Sequence, residues 1–157
     1  MAEEMNQTET GMPQNNQYVA FNLRDEEYGV SILNVQEIRN LTDITRVPFA
    51  ADFIKGVINL RGSVLPVIDL KRRIGLEDAP YTDATRIIIM KIGEFSIGMI
   101  VDAVTEVLTI SGRDINAAKD VSDNTSNRFV SSIGNIDARL IIMLNLDEIV
   151  DLPEDMK

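Results

Sequence analysis

The chain contains no cysteine, no histidine and no tryptophan. Without cysteine it can form no disulfide, no thiolate nucleophile and no sulfur-ligated metal site. Without histidine it lacks the commonest general base, every Ser-His-Asp arrangement and the commonest transition-metal ligand. Because an enzyme would have to work with Asp, Glu, Lys, Ser, Thr or Tyr alone, the composition argues against an enzyme and indicates neither a cofactor nor a metal.

Positive charge is also scarce, since 15 Lys and Arg residues face 25 Asp and Glu residues and the net charge is −10. Binding to nucleic acid or to an anionic membrane surface needs clustered Lys and Arg, so the sequence predicts neither. An OB-like nucleic-acid binder would also need a basic groove studded with aromatic residues. A basic protein partner is compatible with this charge.

Long apolar runs are absent as well. None approaches the roughly 18 residues needed to span a bilayer, and the N-terminus lacks a basic region followed by an apolar stretch. The sequence therefore predicts a cytoplasmic protein without a membrane-inserted segment. With 157 residues, 45% of them hydrophobic, the chain fits one domain or two very small ones with a substantial core.

The sequence pattern predicts a polar tail followed by short strands. Residues 1–16 carry no apolar periodicity and are predicted to be disordered. Apolar residues alternate with polar ones on both sides of a turn within residues 18–32, and apolar runs flank a second turn within residues 86–101, which predicts two hairpins. Between them, Asp69 as the N-cap and Gly75 as the C-terminal glycine predict one short helix.

The most informative stretch runs from Phe53 to Leu70, where two apolar runs flank a polar tip. This pattern predicts a hairpin with a tight turn. Gly62 supplies a residue that tolerates positive φ, and the neighbouring Arg61 is expected to point into solvent. Pro66 cannot donate to a sheet, so its strand is expected to be an edge or to bend there.

The second half of the chain repeats the first. Pairs separated by 69 residues include Phe21 and Met90, Gly29 and Gly98, and Glu37 and Glu106; pairs separated by 76 residues include Phe53 and Phe129, Asn59 and Asn135, and Leu70 and Leu146. Repeated strands about every 8–12 residues predict two similar all-β units, and units this small close their edges best as barrels. We place them at residues 17–80 and 81–157, packed face to face, with an exchange of strands left open.

Two charged residues occupy matching features of the first unit. Glu37 follows the first hairpin and Arg61 lies at the tip of the second, so they form either a recognition spot or a surface ion pair worth about 0–1 kcal/mol. In the second unit Glu106 is kept, but Asp137 stands where an arginine would be. The carboxylates Asp102 and Glu106 keep a hydrolase open as an alternative, although two solvated acids fit better.

Several motifs resemble the bacterial chemotaxis coupling family CheW. They are Asp-Glu-Glu-Tyr-Gly at 25–29, Val-Gln-Glu-Ile-Arg at 35–39, Phe-Ile-Lys-Gly-Val-Ile-Asn-Leu-Arg-Gly at 53–62 and Leu-Pro-Val-Ile-Asp-Leu at 65–70. The resemblance covers roughly residues 17–150. It implies two five-stranded SH3-like β-barrels packed around a shared apolar interface, with one or two short helices.

The resemblance also implies a function without catalysis. Members of this family are adaptors that connect the cytoplasmic tips of transmembrane chemoreceptors (methyl-accepting chemotaxis proteins) to the histidine kinase CheA in arrays at the membrane. The residues that match the family's receptor-binding positions are Ile32, Val35, Glu37 and Arg61. Those that match the surface for the kinase's regulatory domain are Ile38, Leu41, Ile44, Val47, Lys55, Gly56 and Val121.

Val121 departs from the family, where the matching position is commonly aromatic, so a weaker second kinase contact is expected there. The alternative that keeps the fold is an SH3-like peptide-binding or protein-binding module of another bacterial signalling system. Such a module would need neither Glu37 nor Arg61.

Overall fold

The computed structural model of the chain describes residues 16–117 and 128–151. The predicted tail, apart from Asn16, and Val121 lie outside these described residues. The strands are β1 Gln17–Leu23, β2 Glu26–Ser31, β3 Val35–Asn40, β4 Ile54–Leu60, β5 Ser63–Asp69, β6 Arg86–Ile92, β7 Phe95–Val101, β8 Ala103–Thr109, β9 Ile115–Ala117, β10 Val130–Ile136 and β11 Arg139–Leu144. Short helices α1 (Leu70–Ile74) and α2 (Leu146–Ile149) follow β5 and β11, and single 3-10 turns cover Ile32–Asn34 and Gly112–Asp114.

The described strands form two sheets. One has the order β3-β6-β7-β5-β4, and the other has the order β9-β10-β11-β2-β1-β8. Neighbouring strands are antiparallel except for β5 with β7 and β11 with β2, which are parallel. The predicted all-β, two-unit fold is thus confirmed, with the difference that the second sheet gains the three-residue strand β9 as a sixth member.

Each sheet takes strands from both halves of the chain. The β6–β7 hairpin of the second half lies between β3 and β5, and the β1–β2 hairpin of the first half lies between β11 and β8. A boundary near residue 80 therefore does not separate the two sheets. The sequence repeat could not reveal this exchange. The two hairpins have similar sequences, so either hairpin could pair with the remaining strands of either half.

A repeated glycine makes the parallel pairings possible. Gly29 of β2 lies opposite Met143 in β11, and Gly98 of β7 lies opposite Val67 in β5. A Cβ atom on Gly29 would lie 2.9 Å from a side-chain methyl of Ile141, and one on Gly98 would contact its neighbours almost as closely. Any larger residue at either position would push the exchanged hairpin away from its new sheet.

The largest apolar cluster lies between the sheets, and both sheets contribute to it. Phe21 and Val30 come from the six-stranded sheet, and Ile68, Ile88 and Met99 come from the five-stranded one. Two smaller clusters fill the interior of each sheet separately. The shared interface that the sequence predicted is therefore the main core of the molecule.

The ends of the predicted helix α1 are as expected. The side chain of Asp69 caps it by accepting the Lys71 N–H at 3.1 Å, and Gly75 ends it with a φ of 89°. Lys71 is buried and forms an ion pair with Asp102, which also accepts the Arg24 N–H at 2.7 Å. Since Arg24 belongs to the β1–β2 turn, this contact joins α1 to the hairpin of the other sheet.

A second connection depends on Arg73 of α1. Its guanidinium lies 4.6 Å from the ring centre of Phe53 and 4.9 Å from that of Phe129, the repeat-related phenylalanine. It also donates hydrogen bonds of 2.9–3.0 Å to the main-chain carbonyls of Glu148, Ile149 and Asp151. One side chain thus holds equivalent points of the two repeats together and satisfies the C-terminal end of α2.

We expect Arg73→Ala to lower the free energy of unfolding by about 2–4 kcal/mol, because it removes charge-assisted hydrogen bonds and two cation–π contacts at once. Arg73→Lys should recover little of this loss, since an ammonium group lacks the planar fork. Urea unfolding followed by circular dichroism measures the change. The matched control is Arg72→Ala, which removes the neighbouring exposed arginine and its surface ion pair with Asp78. Equal effects at positions 72 and 73 would contradict the assignment.

Candidate functional site

In strand β3 the usual distribution of polar and apolar side chains is reversed, since the charged side chains are the less exposed ones. The charged residues Glu37 and Arg39 are half-buried, whereas Ile38 between them is exposed. The pairing of β3 with β6 shifts register between Val35 and Glu37, which indicates a β-bulge at Gln36. Bulges redirect the side chains beside them, and an exposed isoleucine between two half-buried charges indicates a surface adapted for contact.

Arg61 is positioned by the turn between β4 and β5. Arg61 and Gly62 have φ values of 52° and 86°, the pattern of a type I′ hairpin turn. The side chain of Asn59 accepts the Gly62 N–H at 3.0 Å and so fixes the turn. The positive φ of Gly62 and the exposure of Arg61, whose side chain is 75% accessible, confirm the sequence predictions.

The structure brings the two predicted charged residues together. The Nη1 atom of Arg61 lies 2.7 Å from Oε1 of Glu37, and the Nη1 atom of Arg39 lies 3.4 Å from Oε2. Glu37 and Arg61 line one side of a groove of about 980 Å³ together with the exposed Val64 and with Phe95. We call this concavity the Glu37 groove.

The other predicted receptor-binding residues are Ile32, in the 3-10 turn before β3, and Val35, the first residue of β3. Ile32 and Val35 are half-buried and pack against the shared core, which leaves only part of each available to a partner. Leu33 between them is 60% exposed. The sequence did not single out Leu33, since a 3-10 turn has no periodicity that would show which of its three residues faces outward.

The described kinase-binding residues of the prediction lie on β3, on the segment that follows it and on β4. Ile38 lies on the opposite side of β3 from Glu37, because side chains alternate along a strand. Ile38 and Leu41 are exposed, whereas Ile44, Val47 and Lys55 are half-buried. The ammonium of Lys55 lies 5.4 Å from the ring centre of Tyr81. These binding roles remain predictions.

Gly56 differs from its predicted neighbours because it is buried. Its φ is 149°, and a Cβ atom there would lie 2.0 Å from the Thr45 carbonyl oxygen. Thr45 crosses at this point and exchanges main-chain hydrogen bonds of 2.8 and 2.9 Å with Val57. Gly56 therefore positions the segment at residues 41–53 and does not itself present a surface.

The second copy of the charged site also has a cation, which corrects the expectation of two acids. Asp137 does occupy the position that matches Arg61, but Arg139, two residues further along, reaches Glu106 at 3.1 Å. Arg139 also binds both carboxylate oxygens of Glu27, at 2.8 and 3.1 Å, and these hydrogen bonds hold the pKa of Glu27 below its usual value. Pattern matching at a fixed separation missed Arg139, because the long side chain enters from a different strand position.

The two copies also share exposed apolar residues. Ile38 and Val107 are repeat-related and are 40% and 49% exposed, and the pair Val64 and Leu140 are 66% and 61% exposed. The repeat separations relate these positions in the sequence, and the structure adds that both members of each pair are exposed.

The two carboxylates that kept a hydrolase open as an alternative lie in separate ion pairs. Asp102 and Glu106, the candidate acids, are each paired with a separate cation, Lys71 and Arg139. Within residues 16–117 and 128–151 no group of three or more carboxylates is arranged to hold a metal ion, and no helix there is long and apolar enough to cross a membrane.

Comparison with known proteins identifies a family. Residues 17–154 match the family described as the CheW-like domain. The chain is 37% identical over 131 residues to the chemotaxis protein CheW of Rhizobium meliloti (strain 1021), covering 83% of this chain and 84% of that protein. It is 33% identical over 138 residues to the chemotaxis protein CheW of Klebsiella aerogenes, covering 88% and 83%.

A solved structure agrees with the sequence comparison. The crystal structure of the scaffolding protein TtCheW from Thermoanaerobacter tengcongensis superposes with a TM-score of 0.83 at 36% identity, over 91% of this chain and 97% of that one.

The two hairpin tips give a reciprocal prediction. Ala138 has a φ of 68° at the turn position that Gly62 occupies in the other copy. We expect Ala138→Gly to raise the free energy of unfolding by about 0.5–1 kcal/mol and Gly62→Ala to lower it by a similar amount, because only glycine adopts this φ without strain. Urea unfolding of the two variants measures both changes. Changes of the same sign would contradict the turn geometry.

Proposed function

The chain belongs to the CheW family of chemotaxis scaffolding proteins, and we propose that it is a non-catalytic adaptor that couples chemoreceptor tips to the histidine kinase CheA. In this proposal the chain is recruited to chemoreceptor arrays at the cytoplasmic face of the membrane. It needs no cofactor. The observation that carries the proposal is strand β3, which offers Glu37 paired with Arg61 on one side and the exposed Ile38 on the other.

The Glu37 groove suits the helical tip of a receptor. An amphipathic helix that lies in a groove gains affinity from apolar contact, and charged residues at the rim set its register. Val64 and Phe95 line the groove and supply apolar area. The half-buried Ile32 and Val35 precede Glu37 in the chain. Glu37 binds one nitrogen of the Arg61 guanidinium. Because the Arg61 side chain is 75% exposed, its other N–H groups can donate hydrogen bonds to a carboxylate of a partner.

The kinase would bind on the other side. Ile38 is exposed there, and Leu41 is exposed just beyond the end of β3. The segment at residues 41–53 is held against β4 by the Thr45–Val57 hydrogen bonds. A surface fixed in advance loses little conformational entropy on binding. Val47 borders both this surface and the Glu37 groove, so the two partners would meet there. Arg61 and Val64 line only the groove, and they stay accessible to the receptor when the regulatory domain of CheA docks on this side.

The test separates recognition from an ion pair that only supports the fold. We expect Arg61→Ala to weaken binding of a receptor-tip fragment by about tenfold or more, as for a central charged contact, with little effect on the CheA regulatory domain. The double variant Glu37→Arg with Arg61→Glu keeps an internal ion pair but reverses the charges presented to a partner. Isothermal titration calorimetry with each partner measures the affinities.

Arg113→Ala, which removes an exposed arginine from the other sheet's connecting turn, is the matched control and should bind both partners normally. Circular dichroism should show an intact fold in every variant. Normal receptor binding by the charge-reversed double variant would show that the pair is only structural. Failure of the unmodified chain to bind either partner would overturn the adaptor assignment and favour a module of another signalling system.

A further inference from the structure

Phe49 combines two unfavourable features. Its side chain is fully exposed, at 105% of the reference area, whereas the next most exposed large apolar side chain in the described ranges is Val64 at 66%. Its φ is 64°, in the left-handed region where residues other than glycine and asparagine are strained.

The segment around Phe49 is held in place by contacts both before and after it in the chain. Before it, Thr45 exchanges two main-chain hydrogen bonds with Val57. After it, Ala50 and Ala51 pack against the shared core, and the Ile54 N–H binds the Ala51 carbonyl at 2.9 Å. The ring is therefore held out from the surface by an anchored loop.

Neither folding nor solubility explains a phenylalanine at this position. Glycine or asparagine would adopt the same turn with less strain, and either would expose less apolar surface. A strained residue that the surrounding structure maintains is a reason to infer a function. A rigid, projecting aromatic ring is typical of the residues that dominate protein–protein binding.

The surroundings of Phe49 indicate the charge of its partner. It borders a concavity of about 640 Å³ that is also lined by Arg46, Lys55 and Arg72, with Asp52 as the single acid. Arg72 is already paired with Asp78 at 2.8 Å. Arg46 and Lys55 are the other two cations of the concavity, in a chain whose net charge is −10, and they are complementary to carboxylates on a partner.

We propose that Phe49 is the anchor by which this chain docks on the regulatory domain of its kinase, with the ring inserted into an apolar socket that carboxylates border. The inference rests on the proposed adaptor function, because Val47 and Lys55, which line the same concavity, belong to the surface assigned to the kinase. Arg46 and Lys55 guide the acidic rim, and the ring supplies the contact area.

The experiment compares Phe49→Ala and Phe49→Gly with the unmodified chain, using the CheA regulatory domain and a receptor-tip fragment as separate partners. Both variants should bind the kinase domain at least tenfold more weakly and the receptor fragment with unchanged affinity. Phe49→Gly should also unfold at a higher urea concentration than the unmodified chain, because glycine relieves the strained φ. Greater stability with weaker binding cannot arise from a damaged fold.

Leu33→Ala is the matched control, since it truncates another exposed large apolar residue outside the concavity; it should leave kinase binding unchanged. Arg46→Glu should weaken kinase binding most at low salt, as expected for a screened charge contact. If the unmodified chain binds the kinase domain and both Phe49 variants bind it equally well, the anchor is overturned and the adaptor function stands. If the unmodified chain does not bind the kinase domain, the proposed function fails, and the anchor fails with it.

Discussion

The exchange of hairpins between the two repeats determines the rest of the structure. Strands β3 and β4 lie at opposite ends of the five-stranded sheet, and the β6–β7 hairpin from the other half of the chain lies between them. Glu37 on β3 nevertheless lies 2.7 Å from Arg61, at the end of β4, and the Thr45–Val57 bridge also holds the segment after β3 against β4. The charged site therefore lies where the two ends of the five-stranded sheet meet.

Directional contacts orient the two sheets, and apolar burial holds them together. The shared cluster supplies most of the buried area, but apolar contact has little directional preference. The buried ion pair of Lys71 and Asp102 and the stacked Arg73 fix one sheet relative to the other. A buried lysine without its partner is strongly destabilising, so sliding of the sheets would carry a large free-energy cost.

Local features were predictable from the sequence because local physics determines them. The Arg61–Gly62 turn, the caps of α1 and the repeat itself follow from backbone preferences and spacing. The exchange of hairpins, the cation supplied by Arg139 and the exposure of Phe49 were not predictable. Each of these depends on which distant segments meet, and neither periodicity nor turn chemistry encodes that choice.

We propose that opposite sides of β3 serve two different partners at once. The direct measurement is an amide-shift titration in which the labelled chain is first saturated with a receptor-tip fragment and then mixed with the CheA regulatory domain. We predict that the shifts at Val35, Glu37 and Arg61 persist while new shifts appear at Leu41 and Lys55. Reversal of the first set as the kinase domain is added would mean that the partners compete for one surface, and it would contradict simultaneous binding.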